Sequence, residues 1–170
     1  MKIVGIIIML FAFTAVAYYT YPEMKLPAGI QIDKLIVYKS KRELLAFFGE
    51  TLVKRYRVSL SNQPIGAKEF QDDNKTPEGK YFINDKSRYS DYHKNLSISY
   101  PSAKHRIQAA KLGRKPGGDV KIHGLKNQFG FIGRFQRLYD WTRGCIALTD
   151  EEIDELYDAV KIGTPIIIYP

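Results

Sequence analysis

One thiol and one imidazole are the groups in this chain whose types and setting suit covalent chemistry. Cys145 lies in Trp141-Thr142-Arg143-Gly144-Cys145-Ile146, and His123 lies in Ile122-His123-Gly124. A free thiol, with a pKa of about 8.5, is mostly protonated at neutral pH and a poor nucleophile. An imidazole within reach can take its proton. Gly144 permits a backbone conformation, or a close approach of main chain to substrate, that a side chain would bar. Successive N–H groups at Gly144 and Cys145 suit a developing oxyanion. The constellation implies acyl transfer through a cysteine, and it predicts a thiol that titrates below the free-thiol value. Spacing alone leaves two plainer readings open. His123 is then a hydrogen-bonded core histidine, and Cys145 a small buried hydrophobe.

The elements around these residues have to bring them together. Val120 to His123 reads as a short strand after the turn Lys115-Pro116-Gly117-Gly118-Asp119. Cys145 stands just before a helix. Thr149 and Glu152 form a capping box, Asp150 and Glu151 add negative charge to the first turn, and Ile153, Leu156, Tyr157 and Val160 recur at helical spacing. Gly163 and Pro165 are expected to end that helix. The segment between His123 and Cys145 reads as a loop that returns the cysteine to the rim where the histidine sits.

Upstream, Leu35–Lys39, Leu44–Phe48 and Thr51–Leu60 read as three strands of a meander. In the last, Leu52, Tyr56, Val58 and Leu60 share one face with Lys54 as the exception, and Thr51, Arg55, Arg57 and Ser59 the other, where Val53 is the exception. Lys80–Ile83, Leu96–Tyr100 and Ile166–Tyr169 are further strands, the last apolar throughout and therefore central. Ala103–Leu112 reads as a weaker helix. The domain is mainly β with minor α and one clear late helix.

Ile3 to Tyr19 carries no charge and follows Lys2. Seventeen residues are short for a membrane span and long for a signal-peptide core. Ala15-Val16-Ala17 resembles a small-x-small cleavage site. Tyr18, Tyr19 and Tyr21 suit the interfacial belt of an uncleaved anchor. Residues 1–20 are therefore a signal peptide or a membrane anchor, 21–30 a linker, and 31–170 one domain. Either reading exports the domain, to the periplasm or cell wall. A lone cysteine in such a compartment has no intramolecular partner. The net charge of +8 favours anionic partners, but no dense basic block marks a nucleic-acid site. His93 and His105 read as surface or packing residues. Three histidines and one cysteine show no metal-ligand spacing.

The motif His-Gly, a loop, then Thr142-Arg143-Gly144-Cys145-Ile146 resembles the signature of the L,D-transpeptidases, whose catalytic domain is called YkuD. Val58-Ser59-Leu60, Thr76-Pro77-Glu78-Gly79-Lys80-Tyr81, Ser97-Ile98-Ser99-Tyr100-Pro101 and Pro116 through Gly124 resemble family segments in family order. So do Asp140 through Leu148 and Gly163-Thr164-Pro165. The likeness runs from about Ile32 to Pro170 and is closest to the YafK-like murein branch.

The resemblance implies a mixed β-sandwich or barrel. It implies that Cys145 is the nucleophile and His123 the base, with Gly124 orienting the histidine and Gly144 lending backbone to the oxyanion. Thr142, Arg143 and Trp141 are the expected substrate contacts, and neither metal nor cofactor is required. The implied reaction opens a peptidoglycan tetrapeptide stem to an acyl-enzyme and passes it to an amine. The alternatives are a hydrolase on the same intermediate, a carboxypeptidase or an enzyme releasing a wall-bound lipoprotein, and a silent wall-binding module. Many family members carry an arginine two residues after the cysteine. Ala147 stands there in this chain, and Arg143 is the nearest substitute. Sortases, also anchored cysteine transpeptidases, need a downstream arginine that is missing.

Overall fold

The computed structural model describes residues 2–170. Helix α1, Lys2–Thr20, buries none of its residues and is long and apolar enough to cross a membrane. Residues 21–30 contain no helix or strand, although Leu26 packs on the core and its N–H donates to Glu155 at 2.9 Å.

The domain is built on β1 (Lys34–Tyr38), β2 (Glu43–Phe48), β3 (Thr51–Arg57), β4 (Gly79–Ser90), β5 (His93–Ile98), β6 (Lys121–His123), β7 (Ile146–Ala147) and β8 (Pro165–Tyr169). They form one eight-stranded sheet in the order β3-β2-β1-β8-β4-β5-β6-β7. The first three strands make the expected meander. The all-apolar β8 lies between β1, to which it is parallel, and β4, to which it is antiparallel. Its Ile166 and Ile168 are buried while Pro165 and Tyr169 are exposed and Ile167 is half-buried, so the strand is central in the sheet but turns only one face to the core.

The outer members of this order meet. Beyond β3, Ser59 exchanges two backbone bonds with Ala147 of β7, at 3.0 and 2.8 Å, and Leu60 accepts from Thr142 at 3.0 Å. The sheet therefore closes on itself, in keeping with the mixed barrel expected, and satisfies edges that would otherwise be open. Tyr56, Leu60, Ile83, Leu96, Ile122, Ile146 and Leu156 are among the largest fully buried side chains.

Several local readings need correction. β3 stops at Arg57, and a register shift between Ala46 and Phe47 inserts Val53 as an extra residue. That bulge turns Leu52 outward, to 42% exposure, while Lys54 lies buried against Glu155. Ser59, assigned to the outer face, is buried because it pairs with β7. The Lys80–Ile83 strand is the start of the twelve-residue β4.

The late helix is α3, Asp150–Ala159. Thr149 and Glu152 form its capping box as read, but it ends in an extended Val160 rather than at Gly163. Gly163 instead takes φ +93° in the turn before β8. The weaker helix is α2, Ala103–Lys111, capped by Ser102 and His105. The segment read as a plain loop between His123 and Cys145 holds a 3-10 helix, Gly130–Leu138, kinked at Gly133.

Candidate active site

Short parallel strands place the two chemical groups. β6 and β7 align Ile122 with Ile146 and His123 with Ala147. Cys145, one residue before β7, therefore falls level with Lys121. Side chains alternate along a strand, so Lys121, His123 and Cys145 face the same way. They open into one cavity of about 910 Å³, whose wall also includes Trp141, Thr142 and Arg143. A second cavity, of about 700 Å³, reaches Cys145 from the other side and includes Gly144 and Lys68. Arg143 is exposed on the rim shared by both.

The His123 ring is fixed in orientation. Its Nδ1 lies 2.6 Å from the Gly124 carbonyl oxygen. A carbonyl only accepts, so Nδ1 carries the proton and Nε2 is left with its lone pair. Tyr92 packs against the ring with centroids 4.7 Å apart, and Trp141 meets it edge-on at 5.7 Å. Gly124 directly follows β6 and is squeezed between β5 and α3. A Cβ there would come within 2.6 Å of Asp150 Oδ1 and 3.0 Å of His93 Cβ, so no side chain fits. Asp150 in turn accepts from the Leu125 N–H at 2.8 Å.

The turn that presents the thiol is held from within. Thr142 Oγ1 donates to the Cys145 carbonyl at 2.8 Å and accepts from the Gly144 N–H at 3.3 Å. Gly144 takes φ +136°, and a Cβ on it would lie 2.9 Å from the Lys75 carbonyl oxygen. Here glycine is required by both conformation and space. The Thr142 hydroxyl, expected at the substrate, is engaged in the turn. The Gly144 N–H, expected at the oxyanion, already has Thr142 as a neighbour.

Electrostatics differ from the sequence-based expectation. Burial pushes the Cys145 thiol up from its ordinary value, against a smaller lowering by the Lys121 backbone N–H and charge. Burial also pushes the His123 imidazole down, to about 4, outweighing the Gly124 hydrogen bond. The pair rests as neutral thiol and neutral imidazole, not as a thiolate with a low pKa. Desolvation disfavours both charged forms, and the thiol donates to the Asp119 carbonyl at 3.6 Å.

Trp141 forms part of the cavity wall, and its indole N–H donates to Gln136 Oε1 at 3.0 Å. Gln136 is buried in the 3-10 segment, and its backbone carbonyl accepts from Ser59 Oγ at 2.7 Å. Ala147 is wholly buried beside this group. His93 pairs with Asp154 and His105 caps α2, away from the thiol. Among the described residues no cluster suited to a metal ion occurs.

Sequence reasoning missed Tyr92, Asn95 and Gln136. Asn95 pairs directly with His123 across β5 and β6. Only the register brings it there, and a single sequence does not display register. Gln136 lies in the segment read as a plain loop, which folds as a 3-10 helix.

A family model for the YkuD L,D-transpeptidase catalytic domain matches residues 32–168. The helical cell shape determining protein Pgp2 of Campylobacter jejuni is similar in structure, with a TM-score of 0.62 at 20% identity, covering 82% of this chain and 48% of that one. Bd1075 of Bdellovibrio bacteriovorus gives 0.56 at 23% identity, covering 86% and 51%. An L,D-transpeptidase of Xylanimonas cellulosilytica gives 0.54 at 16%, covering 86% and 65%. At these identities the likeness shows a shared fold. The chain spans about half to two thirds of the length of these structures. No curated protein matches it.

Proposed function

Because the chain belongs to the L,D-transpeptidase (YkuD) catalytic-domain family, we propose that it is a cysteine acyltransferase acting on peptidoglycan stem peptides. The observation that carries this reading is the shared face of His123 and Cys145 in one cavity, with the imidazole proton fixed on the Gly124 side. Nε2 is thereby left as the base.

The neutral resting pair implies general-base attack. As the scissile carbonyl approaches, the thiol proton passes to Nε2 while sulfur bonds to the carbonyl carbon. The N–H groups of Cys145 and Gly144 hold the oxygen as it gains charge; Gly144 turns from its long contact with Thr142. His123 then protonates the leaving amine, and a thioester remains on Cys145. An acceptor amine gives its proton to Nε2 and attacks the thioester. The C–N bond forms, the C–S bond breaks, and the sulfur recovers its proton.

Arg143, on the rim between both cavities, is suited to a stem carboxylate. Trp141 forms a wall for the stem. α1 is read as the exporting segment, retained as an inner-membrane anchor or removed. In this reading an outer-membrane lipoprotein is a second acyl partner of the same site.

The test is incubation of the full chain, in detergent micelles, with a disaccharide-tetrapeptide, following enzyme mass and products together. A covalent adduct on Cys145 with cross-linked dimers is expected. An adduct with only the shortened tripeptide would make the protein a hydrolase. No adduct on folded protein with a free thiol would leave a wall-binding module.

A further inference from the structure

We propose that the 3-10 segment Gly130–Leu138 lies on the phospholipid bilayer that α1 crosses, with Phe129 and Phe131 in its interface, so that the domain is docked on the membrane and does not swing on a free tether. This rests on the reading of α1 as a retained anchor and is independent of the chemistry at Cys145.

The length of α1 sets where its end lies. Its 19 residues, at about 1.5 Å each, span close to the roughly 30 Å hydrocarbon core of a bilayer. With Lys2 on the near side, Tyr18, Tyr19 and Thr20 reach the opposite headgroup level, where tyrosine is favoured. Whatever packs on these residues stands at that level too.

The 3-10 segment packs there. Phe135 stacks on Tyr19 with ring centroids 5.5 Å apart and meets Tyr18 at 5.8 Å. The Tyr19 hydroxyl donates to the Phe131 carbonyl at 2.8 Å. Arg134 donates to the Tyr18 carbonyl at 3.0 Å, one of those that a helix leaves free in its last turn. At the Gly133 kink the backbone comes so near that a Cβ would lie 3.0 Å from the Tyr19 ring. The linker is pinned as well. Glu23 accepts from Arg137 at 2.7 Å and pairs with Arg134 at 3.1 Å, and the Leu26 N–H donates to Glu155.

Beside this junction the chain turns apolar surface outward. Phe131 is 71% exposed and Phe129 46%, with their rings 6.3 Å apart. A single exposed phenylalanine is ordinary in a folded protein. An adjoining pair next to the end of a membrane-crossing helix has lipid within reach. A cavity of about 550 Å³ at the same end is lined by Tyr18, Tyr21, Arg57, Arg134 and Arg137, a setting suited to lipid phosphate. The junction is not simply basic, because Glu151, Asp154 and Asp158 of α3 share a cavity with Tyr19. Apolar insertion, and not net charge, therefore carries the contact.

Docking bears on the site because one segment serves both. Gln136, on the same 3-10 helix, holds the indole of Trp141 and with it a wall of the Cys145 cavity. The cavity is thereby kept at a fixed height above the bilayer.

The test reads depth. The full chain with Cys145→Ala, which removes the native thiol, receives a nitroxide at Phe131→Cys or at Ile107→Cys on α2, also exposed. Neutral phosphatidylcholine vesicles exclude attraction by net lipid charge. The label at 131 should sit about 5–10 Å below the phosphates, open to oxygen and closed to an aqueous nickel chelate. The label at 107 should stay in water. Equal access of the chelate to both overturns the proposal. Phe131→Asp changes an exposed position, so its melting temperature should hold, and it should return a label at Phe129→Cys to the water. A label at 129 that stays deep means that α1 alone draws the segment in, and this also overturns docking by the aromatic pair. The mass of wild-type chain extracted from membranes tests the anchor separately. An intact N-terminus is expected, and one beginning at Tyr18 removes the anchor reading and the inference with it.

Discussion

The closed sheet has two unlike halves. In β3, β2, β1 and β8 the strands are regular, interrupted by one bulge, and buried cations meet carboxylates. Lys54 pairs with Glu155. Lys39 gives its three protons to the Gly66 and Thr76 carbonyls and to Glu78, at 2.6, 3.1 and 2.7 Å. In distal β4, β5, β6 and β7 the register slips twice along β4–β5. His93 and Asp119 adopt left-handed backbone, Gly144 needs a φ barred to other residues, and Asn95 Oδ1 has no hydrogen-bond partner among the described residues. The first half has exceptions of its own, a left-handed Arg42 between β1 and β2 and a buried Tyr56 hydroxyl without a hydrogen-bond partner among the described residues, but they lie away from the cavity. The other carries strain and unpaired groups around an open cavity, as functional sites do.

The sharpest way to break this contrast is to exchange its consequences. Cys145→Ala should abolish turnover, by at least about 10³-fold, while leaving the thermal midpoint within a few degrees. Leu35→Ala, in the fully buried face of β1, should do the opposite. It should cost about 2–5 kcal/mol of stability with activity per folded molecule retained. Denaturant melts and product assays on both variants decide this. A Cys145→Ala protein that unfolds, or a Leu35→Ala protein that folds but is inactive, would dissolve the division.

The same contrast explains what was legible. β1, β2, β8 and α3 follow from apolar alternation, an apolar run and a capping box, because local pattern and burial agree there. His123 and Cys145 could be named from residue type and motif. Their electrostatics could not, since the expected low thiol pKa ignored a burial that only the closed sheet creates. Lys54 and Ser59 were misassigned for a related reason. A bulge changes which side chains face inward, and the pairing of Ser59 with Ala147 joins segments far apart in the chain. Asn95 and Gln136 are invisible to any local rule.

Next in size is the buried lysine that ties β1 to the loop before β4. Lys39→Met removes a charge and leaves Glu78 buried in part and two carbonyls without their donor. The expected cost is about 3–5 kcal/mol. This variant also sharpens the comparison, because Lys75 in that loop supplies the carbonyl lying against Gly144. Activity of the folded fraction should fall modestly if the loop supports the turn, and stay constant if the halves are independent.

The His123 imidazole gives a pH test of the site half. Its native pKa is about 4, against about 6.5 for an unfolded histidine. Below 6.5 the unfolded chain takes up a proton that the native chain refuses. Stability therefore falls as pH drops from about 6.5 to about 4 and levels off below, by on the order of 3 kcal/mol. The loss should appear as a difference between wild type and His123→Gln, which cancels the carboxylates titrating in the same range. Activity should persist to about pH 4 on its acid side, since the base stays neutral there. Alkylation of Cys145 should have its midpoint above the free-thiol value. A midpoint below it would mean that a thiolate–imidazolium pair forms after all.

The smallest effect tests the element that joins the halves. α3 packs on β5 and β6, while its Glu155 reaches Lys54 on β3. Its first turn follows Leu148, whose N–H donates to the His123 carbonyl at 2.9 Å. Thr149 accepts from the Glu152 N–H at 3.3 Å, and Glu152 in turn accepts from the Thr149 N–H at 3.0 Å. Thr149→Ala removes one of these bonds and should cost about 1 kcal/mol, a few degrees in a thermal melt. The helix is anchored by Ile153 and Leu156 in the core, so fraying its first turn need not move the scaffold. It does loosen the chain directly after β7. If the division holds, hydrogen exchange should accelerate at Leu148 and Glu152 and remain unchanged at Ile36 and Ile167 in the scaffold strands. Equal acceleration in both sets would mean that α3 couples the halves into one cooperative unit, and that the strain of the site is borne by the whole sheet.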